Sequence, residues 1–428
     1  MAEEKHRINQ MKKKNNKMSL SKIVFVFIAI SIFAVGCSPD LTPSLYDSVG
    51  DKGVPAEITS VSPASGYSGV TTITITGKNF SSVLEENSVY FSSKKAEILS
   101  GTTTELVVKA PIIIGDSLRI FVGKVGVENF SNSHYYKLGN AVNEQYAFLA
   151  NQEPYAVTVD LDGNAYFSYI DASLGKGVYK ISADGVLSEF APKGGETFFN
   201  DLKYHSDGYL IGVYGNKAIF KIEAGVKPAV FVNTNNNNIK LSTFDFDADK
   251  NIWSAGKGGF IVRSKPDKTF KLFTYANDIS GVRVFNGYLY AISGASGSQN
   301  IVRFPIVSAD SLGAEEVYFP FSANVGIGLN ANSLTFAADG QMYISTTPLS
   351  LTSEPIDQIM FVNTDGSFGV WYPGLITSYI ANLAWGTGTE MYVIRNRYPL
   401  DKTIAPTSGQ NILRIDMERL GAPEYGRD

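Results

Sequence analysis

Cys37 is the only cysteine in 428 residues, so any thiol chemistry in this chain belongs to it. It closes an apolar stretch, Ile23 to Val35, that follows Lys12, Lys13, Lys14, Lys17 and Lys22. A basic start, a short apolar run and small residues at a cut are the layout of a secretory signal, and the run is too short to span a bilayer comfortably. A modified Cys37 would leave no thiol for a disulfide, a nucleophile or a thiolate metal site. After processing, a Ser-His-Asp site would have to use His134 or His205, and neither a Gly-x-Ser-x-Gly elbow nor a His-Glu-x-x-His pair occurs, while general acid–base work by two loop carboxylates stays open. Asp245-Phe246-Asp247-Ala248-Asp249, followed by Asn251, has the alternating oxygen donors that open a calcium loop. Its twelfth position is Gly256, where such a loop needs a bidentate glutamate, so the segment reads as a hairpin. The remaining chemistry is stacking on sugar rings. Trp371-Tyr372-Pro373-Gly374 lies beside a loop, which makes Trp371 and Tyr372 the candidate exposed ligand-binding pair. No residue is assigned a catalytic role.

The elements that position these residues must be mostly strands. Aromatic residues make up 12% and charged residues only 18%, with 40 glycines, and no stretch beyond the apolar leader shows a sustained helical period. Removing residues 1–36 takes away seven basic and two acidic side chains and leaves 30 against 39, a net charge of −9. That balance argues against nucleic acid as a partner. The segment Ala34-Val35-Gly36-Cys37 resembles the bacterial lipobox. The resemblance implies a signal peptide over 1–36, lipidation of Cys37, and a cell-envelope protein held in the outer membrane, facing either the surface or the periplasm. Residues 37–54, with Pro39, Pro43, Gly50 and Gly53, read as a polar tether.

Residues 55–138 contain five short strand-like runs, Ile58 to Val61, Thr72 to Thr76, Val89 to Phe91, Glu105 to Lys109 and Ser117 to Val122. Pro63, Gly66, Gly69, Gly77, Asn79 and Gly101 punctuate them, as in a small β-sandwich. The string Ile58-Thr59-Ser60-Val61-Ser62-Pro63-Ala64-Ser65-Gly66, followed by Ile75-Thr76-Gly77-Lys78-Asn79-Phe80, resembles the immunoglobulin-like IPT/TIG domain. That family implies a spacer or interaction module.

Residues 144–424 repeat. The unit is an apolar strand, a tight polar turn, a second strand with a large anchor residue, then one or two more strands. The anchors Tyr166, Leu210, Trp253, Tyr290, Tyr343 and Tyr392 stand 44, 43, 37, 53 and 49 residues apart, the length of a four-stranded propeller blade. Six units predict a six-bladed β-propeller. The sixth supplies three strands, Ile380 to Trp385, Met391 to Arg395 and Asn411 to Asp416, and Gln145 to Leu149 is the candidate fourth. The repeats resemble those of NHL and regucalcin/gluconolactonase-type propellers. For the calcium-dependent lactonases of that group the resemblance implies a ligand set at the channel top, and Glu153, Asn200 and Asn332 are the matching positions, with Asp278 a loose fourth. Turn-capping by the same residues is the plainer reading.

The fold class is therefore all-β: an N-terminal immunoglobulin-like sandwich followed by a six-bladed propeller. The combination resembles accessory lipoproteins of Bacteroidetes-type bacteria, which implies a non-catalytic binding module without a cofactor, for polysaccharide or a partner protein. Two alternatives stay open: a metal-dependent lactonase-like hydrolase using calcium, and a structural envelope protein.

Overall fold

In the computed structural model, residues 53–326, 328–350, 358–376, 379–397 and 409–428 are described. Cys37, the leader and nearly all of the tether lie outside them.

The sandwich forms from two sheets. One runs in the order Glu57–Ser62, Thr72–Lys78, Glu105–Lys109, Glu97–Gly101. The other runs Ser65–Tyr67, His134–Gly139, Gly115–Lys124, Asn87–Phe91, Lys94–Lys95. Alternation decides which side of each strand faces inward. Ile73 and Ile75 meet Leu106 and Val108 from one sheet and Val89, Ile120 and Val122 from the other in a single buried cluster.

Six further sheets form the propeller. Blades one to three are four-stranded meanders over residues 152–191, 201–233 and 240–274. Blade four carries an extra hairpin, Ser311–Leu312, and is followed by a short helix, Phe321–Val325, which accounts for the longest anchor spacing. Blade five spans 329–370. Blade six orders its strands as Val142–Ala147, Asn411–Asp416, Glu390–Arg395, Ile380–Trp385. The ring is thus closed by a strand from the linker after the sandwich, starting three residues before the expected Gln145. Val142 pairs with Ile415 and Ala147 with Asn411.

The apolar repeat builds the contacts between blades. Each junction holds its own buried cluster, from blades one and two through to blades six and one. The last of these joins Val157 and Phe167 to Tyr392 and Ile412 and so seals the ring. All six anchor residues are buried. Two of them show why the polar turn and the aromatic recur together. The Tyr166 hydroxyl donates to Asp160 Oδ2 (2.9 Å) and Trp253 Nε1 to Asp247 Oδ2 (2.8 Å). The other oxygen of each aspartate accepts the turn's backbone: Asp162 N and Asn164 N for Asp160, Asp249 N and Asn251 N for Asp247. The calcium-like run at Asp245 is therefore a blade hairpin whose aspartate folds its own turn.

Candidate ligand site at the channel mouth

The inner strands of a propeller converge on the axis, and their first residues line the mouth of the channel. Here these positions carry short polar side chains: Asn200 and Asp201 in blade two, Ser242 and Thr243 in blade three, Ser280 in blade four, Asn332 and Ser333 in blade five, Asn382 in blade six. They surround a cavity of about 170 Å³. Gly281 permits this convergence, since a Cβ there would lie 2.9 Å from the Asn332 carbonyl oxygen and 2.8 Å from the Ile292 side chain.

The lining divides into fixed and free groups. Asn332 Nδ2 donates to Thr347 Oγ1 (3.2 Å) and to the Ile380 carbonyl (3.4 Å). Asn382 Oδ1 accepts from Val157 N (3.4 Å), which ties blade six to blade one. Asp201 Oδ2 accepts from Thr243 Oγ1 and Phe244 N, both at 3.1 Å. Burial pushes the Asp201 carboxyl up to about 6, against the opposing pull of Lys203. The side chains of Asn200, Ser242 and Ser333 make no hydrogen bond among the described residues and are half-buried around the cavity.

Below this ring the channel is charged and closed. Lys203 lies 4.0 Å from Asp245 and 3.7 Å from Glu424. Arg283 contacts Asp245 at 2.6 Å and Glu424 at 3.3 Å. Burial opposes the charges of Lys203, Arg283 and Glu424, but their partners outweigh it. The Arg283 guanidinium is held more firmly protonated than usual by Asp245 and Glu424, and Glu424 is held below the ordinary carboxylate range by Arg283 and Lys203.

Glu424 comes from the C-terminal segment, which crosses the axis and bonds to five blades. Ala338 N donates to Leu420 O and Ala422 N to Phe336 O (both 2.9 Å) on blade five. Arg283 Nη2 reaches Pro423 O (2.8 Å) from blade four. Lys250 Nζ reaches Asp428 O (2.9 Å) from blade three, and Ser206 N reaches Gly426 O (3.0 Å) from blade two. Arg427 completes the set with Trp385 O (2.8 Å) and Gly386 O (3.1 Å) on blade six. The gap left between Lys203, Asp245, Glu424 and Arg427 is about 10 Å³, room for roughly one water. The described residues thus close the channel below the ring.

Of the proposed metal ligands, Asn200 and Asn332 line this cavity together. Glu153 does not line it; its Oε2 accepts from the Tyr155 hydroxyl (3.2 Å). Asp278 is exposed and pairs with Lys257 at 3.9 Å. Among the described residues no group of three His, Cys, Asp or Glu side chains could hold a metal ion.

Trp371 and Tyr372 are elsewhere, in a cleft of about 490 Å³ between the sandwich and blade five that Lys109, Glu418 and Arg419 also line. The expectation of an exposed pair needs correction. Tyr372 has positive φ (51°), which turns its side chain into the core between blades five and six, where its hydroxyl donates to Asp416 O (2.8 Å). Trp371 is half-buried against Tyr343, Phe361 and Tyr372, with Arg419 over its ring. His134 lies on a sandwich strand, and His205 stacks on Tyr209 while its Nδ1 accepts from Asp207 N (3.2 Å). Burial lowers the His205 pKa, so the ring is neutral and serves the blade-two turn.

Sequence reasoning missed Asp201, Ser242, Ser333 and Asn382. Their signal is register: each stands on an inner strand, nine to eleven residues before the anchor of its blade. It also missed the C-terminal segment, which has no repeat to announce it.

Comparison with known proteins bears on the fold. Residues 56–138 match the IPT/TIG domain family. A luciferin-regenerating enzyme shares the propeller architecture at 14% identity and a TM-score of 0.51, covering 66% of this chain and 98% of its own. An auxiliary nutrient binding protein from Bacteroides thetaiotaomicron aligns at 10% identity and a TM-score of 0.48, over 85% of this chain and 98% of its own. A structural genomics protein from the same organism aligns at 12% identity and a TM-score of 0.47, over 86% and 99%. No curated protein sequence matches significantly. Residues 56–138 are thus an IPT/TIG domain, joined in this chain to a six-bladed propeller.

Proposed function

We propose that this chain is a non-catalytic binding protein of the cell envelope, anchored through acylated Cys37, whose propeller mouth takes a terminal hydroxylated unit of a polysaccharide. The observation that carries this reading is the cavity with free amide and hydroxyl groups from blades two, three and five. At about 170 Å³ it is smaller than the roughly 300–1,000 Å³ of drug-sized ligand sites, so it suits one small polar unit. Hydroxyls of a sugar can both donate to and accept from Asn200, Ser242 and Ser333, whose side chains have no hydrogen-bond partner among the described residues. Hydrolysis by paired carboxylates has little support, because among the described residues Asp201 is the one carboxylate in the lining and its Oδ2 is already hydrogen-bonded.

The metal-dependent alternative keeps one supporting observation, the shared cavity of Asn200 and Asn332. Calorimetry separates the two readings. Glycan fragments should bind, and Asn200→Ala combined with Ser333→Ala should weaken them at least tenfold. Stoichiometric calcium binding that Asn200→Ala abolishes would instead favour the hydrolase.

A further inference from the structure

The sandwich presents an aromatic and cationic face that neither its own core nor the propeller mouth uses. On the second sheet, Lys95 stands opposite Tyr90, Tyr90 opposite Phe121, and Tyr135 opposite Arg119. The neighbouring residues Phe91, Ile120 and Tyr136 point into the core, so alternation turns this set outward. Tyr90 and Phe121 stack with ring centroids 5.3 Å apart. Phe130 packs edge-on against both, at 6.3 and 4.9 Å. It reaches the sheet because strand residue 123 is glycine; a Cβ there would lie 2.9 Å from the Phe130 ring. Phe130 nevertheless stays 57% exposed and Tyr135 66% exposed. The Arg119 guanidinium lies 4.8 Å from the Phe121 centroid, and neither Arg119 nor Lys95 is in an ion pair among the described residues. Four adjacent strands place Lys95 and Tyr135 about 14 Å apart across the face.

We infer that this face is a second binding site, for an extended acidic polysaccharide bearing uronate carboxylates. The C–H faces of pyranose rings would pack on Phe130 and Tyr135, and the carboxylates would meet Arg119 and Lys95. The charge complementarity is local: the chain as a whole carries a net charge of −4, so two unpaired cations beside open aromatic rings are not its general surface character. The site is separate from the propeller mouth, and its occupancy does not depend on what that mouth binds.

Affinity electrophoresis of the chain in gels containing polygalacturonate, amylose or polyglutamate tests this. Retardation by polygalacturonate should exceed that by amylose or polyglutamate, with the apparent Kd rising at least tenfold in Lys95→Ala with Arg119→Ala and rising with added salt, which screens the carboxylate–cation contacts. Phe130→Ala should weaken binding as well, and unchanged melting curves would show that the variants remain folded. Asn200→Ala should bind polygalacturonate as the parent does, so a failure at the mouth and a failure here are distinguishable. Absence of retardation by polygalacturonate, insensitivity to the Lys95→Ala and Arg119→Ala pair, or, in a chain whose mouth is disabled by Asn200→Ala and Ser333→Ala, retardation by amylose or polyglutamate equal to that by polygalacturonate would each overturn the inference.

Discussion

Arg283 has the most demanding environment of any residue in the propeller. It is fully buried, and its guanidinium serves Asp245, Glu424 and the Pro423 carbonyl at once. Replacing it with methionine would keep the volume but take away the cation that contacts both buried carboxylates, leaving Lys203 and, for Glu424, Arg427. Removing one partner of a buried ion pair typically costs about 3–5 kcal/mol, and urea unfolding of Arg283→Met should show a loss of that size. A midpoint equal to the parent's would mean that water compensates the carboxylates. Asp201 makes a prediction of opposite character. Its carboxyl is raised by burial from 3.8 to about 6, so between pH 4 and pH 6 the folded state keeps a proton that the unfolded chain releases. The contribution of this group to stability is therefore lost as pH rises through that window. Asp201→Asn cannot ionise. Its stability relative to the parent should improve from pH 4 to pH 7, by about 3 kcal/mol from the size of the shift. Melting curves of both proteins at the two pH values measure this difference, and a constant gap would contradict the assignment.

Among the elements, the second strand of each blade was the most legible, because its position follows from chemistry. A turn that is capped by an aspartate must be followed by residues that satisfy it, and an aromatic with a polar tip does so at Tyr166 and Trp253. The strand pairs around these turns are close. Gly256 stands where a Cβ would fall 1.9 Å from the Lys240 carbonyl oxygen, a backbone atom that cannot swing aside. Gly256→Ala should therefore force the first two strands of blade three apart, with a loss of about 1–3 kcal/mol. Thermal denaturation should show it, and a melting temperature unchanged from the parent would imply that this strand pair slides freely. Less legible was the fate of Tyr372. A tyrosine next to Pro-Gly has the look of an exposed loop, and nothing local announces the positive φ that turns it inward. Glu153, Asn200 and Asn332 failed as a set for a related reason. Asn200 and Asn332 each stand seven residues before the aspartate of their Asp-Gly turns, Asp207 and Asp339, while Glu153 stands nine before Asp162.

At the scale of the whole molecule, architecture was readable from the sequence because periodicity carries it: six anchors give six blades, and a three-stranded last blade calls for a strand from elsewhere. The floor of the channel was not readable. It is made by an irregular segment whose partners, Arg283, Lys250, Ser206 and Trp385, are far from it in sequence and share no motif. The candidate site inherits this division, with its rim set by the repeat and its closure set by contacts of long range. The joint between sandwich and propeller has a mechanical meaning too. The Tyr67 hydroxyl donates to Asp416 and the Thr71 hydroxyl to Glu418, and Thr389 also donates to Asp416. These clips lie upstream of Val142, where the closing strand begins to pair. A pull arriving through the N-terminal side reaches them first and is passed to the last strand of the ring as well as to its neighbour. Such a pull is thereby spread into blade six instead of peeling the closing strand away one residue pair at a time.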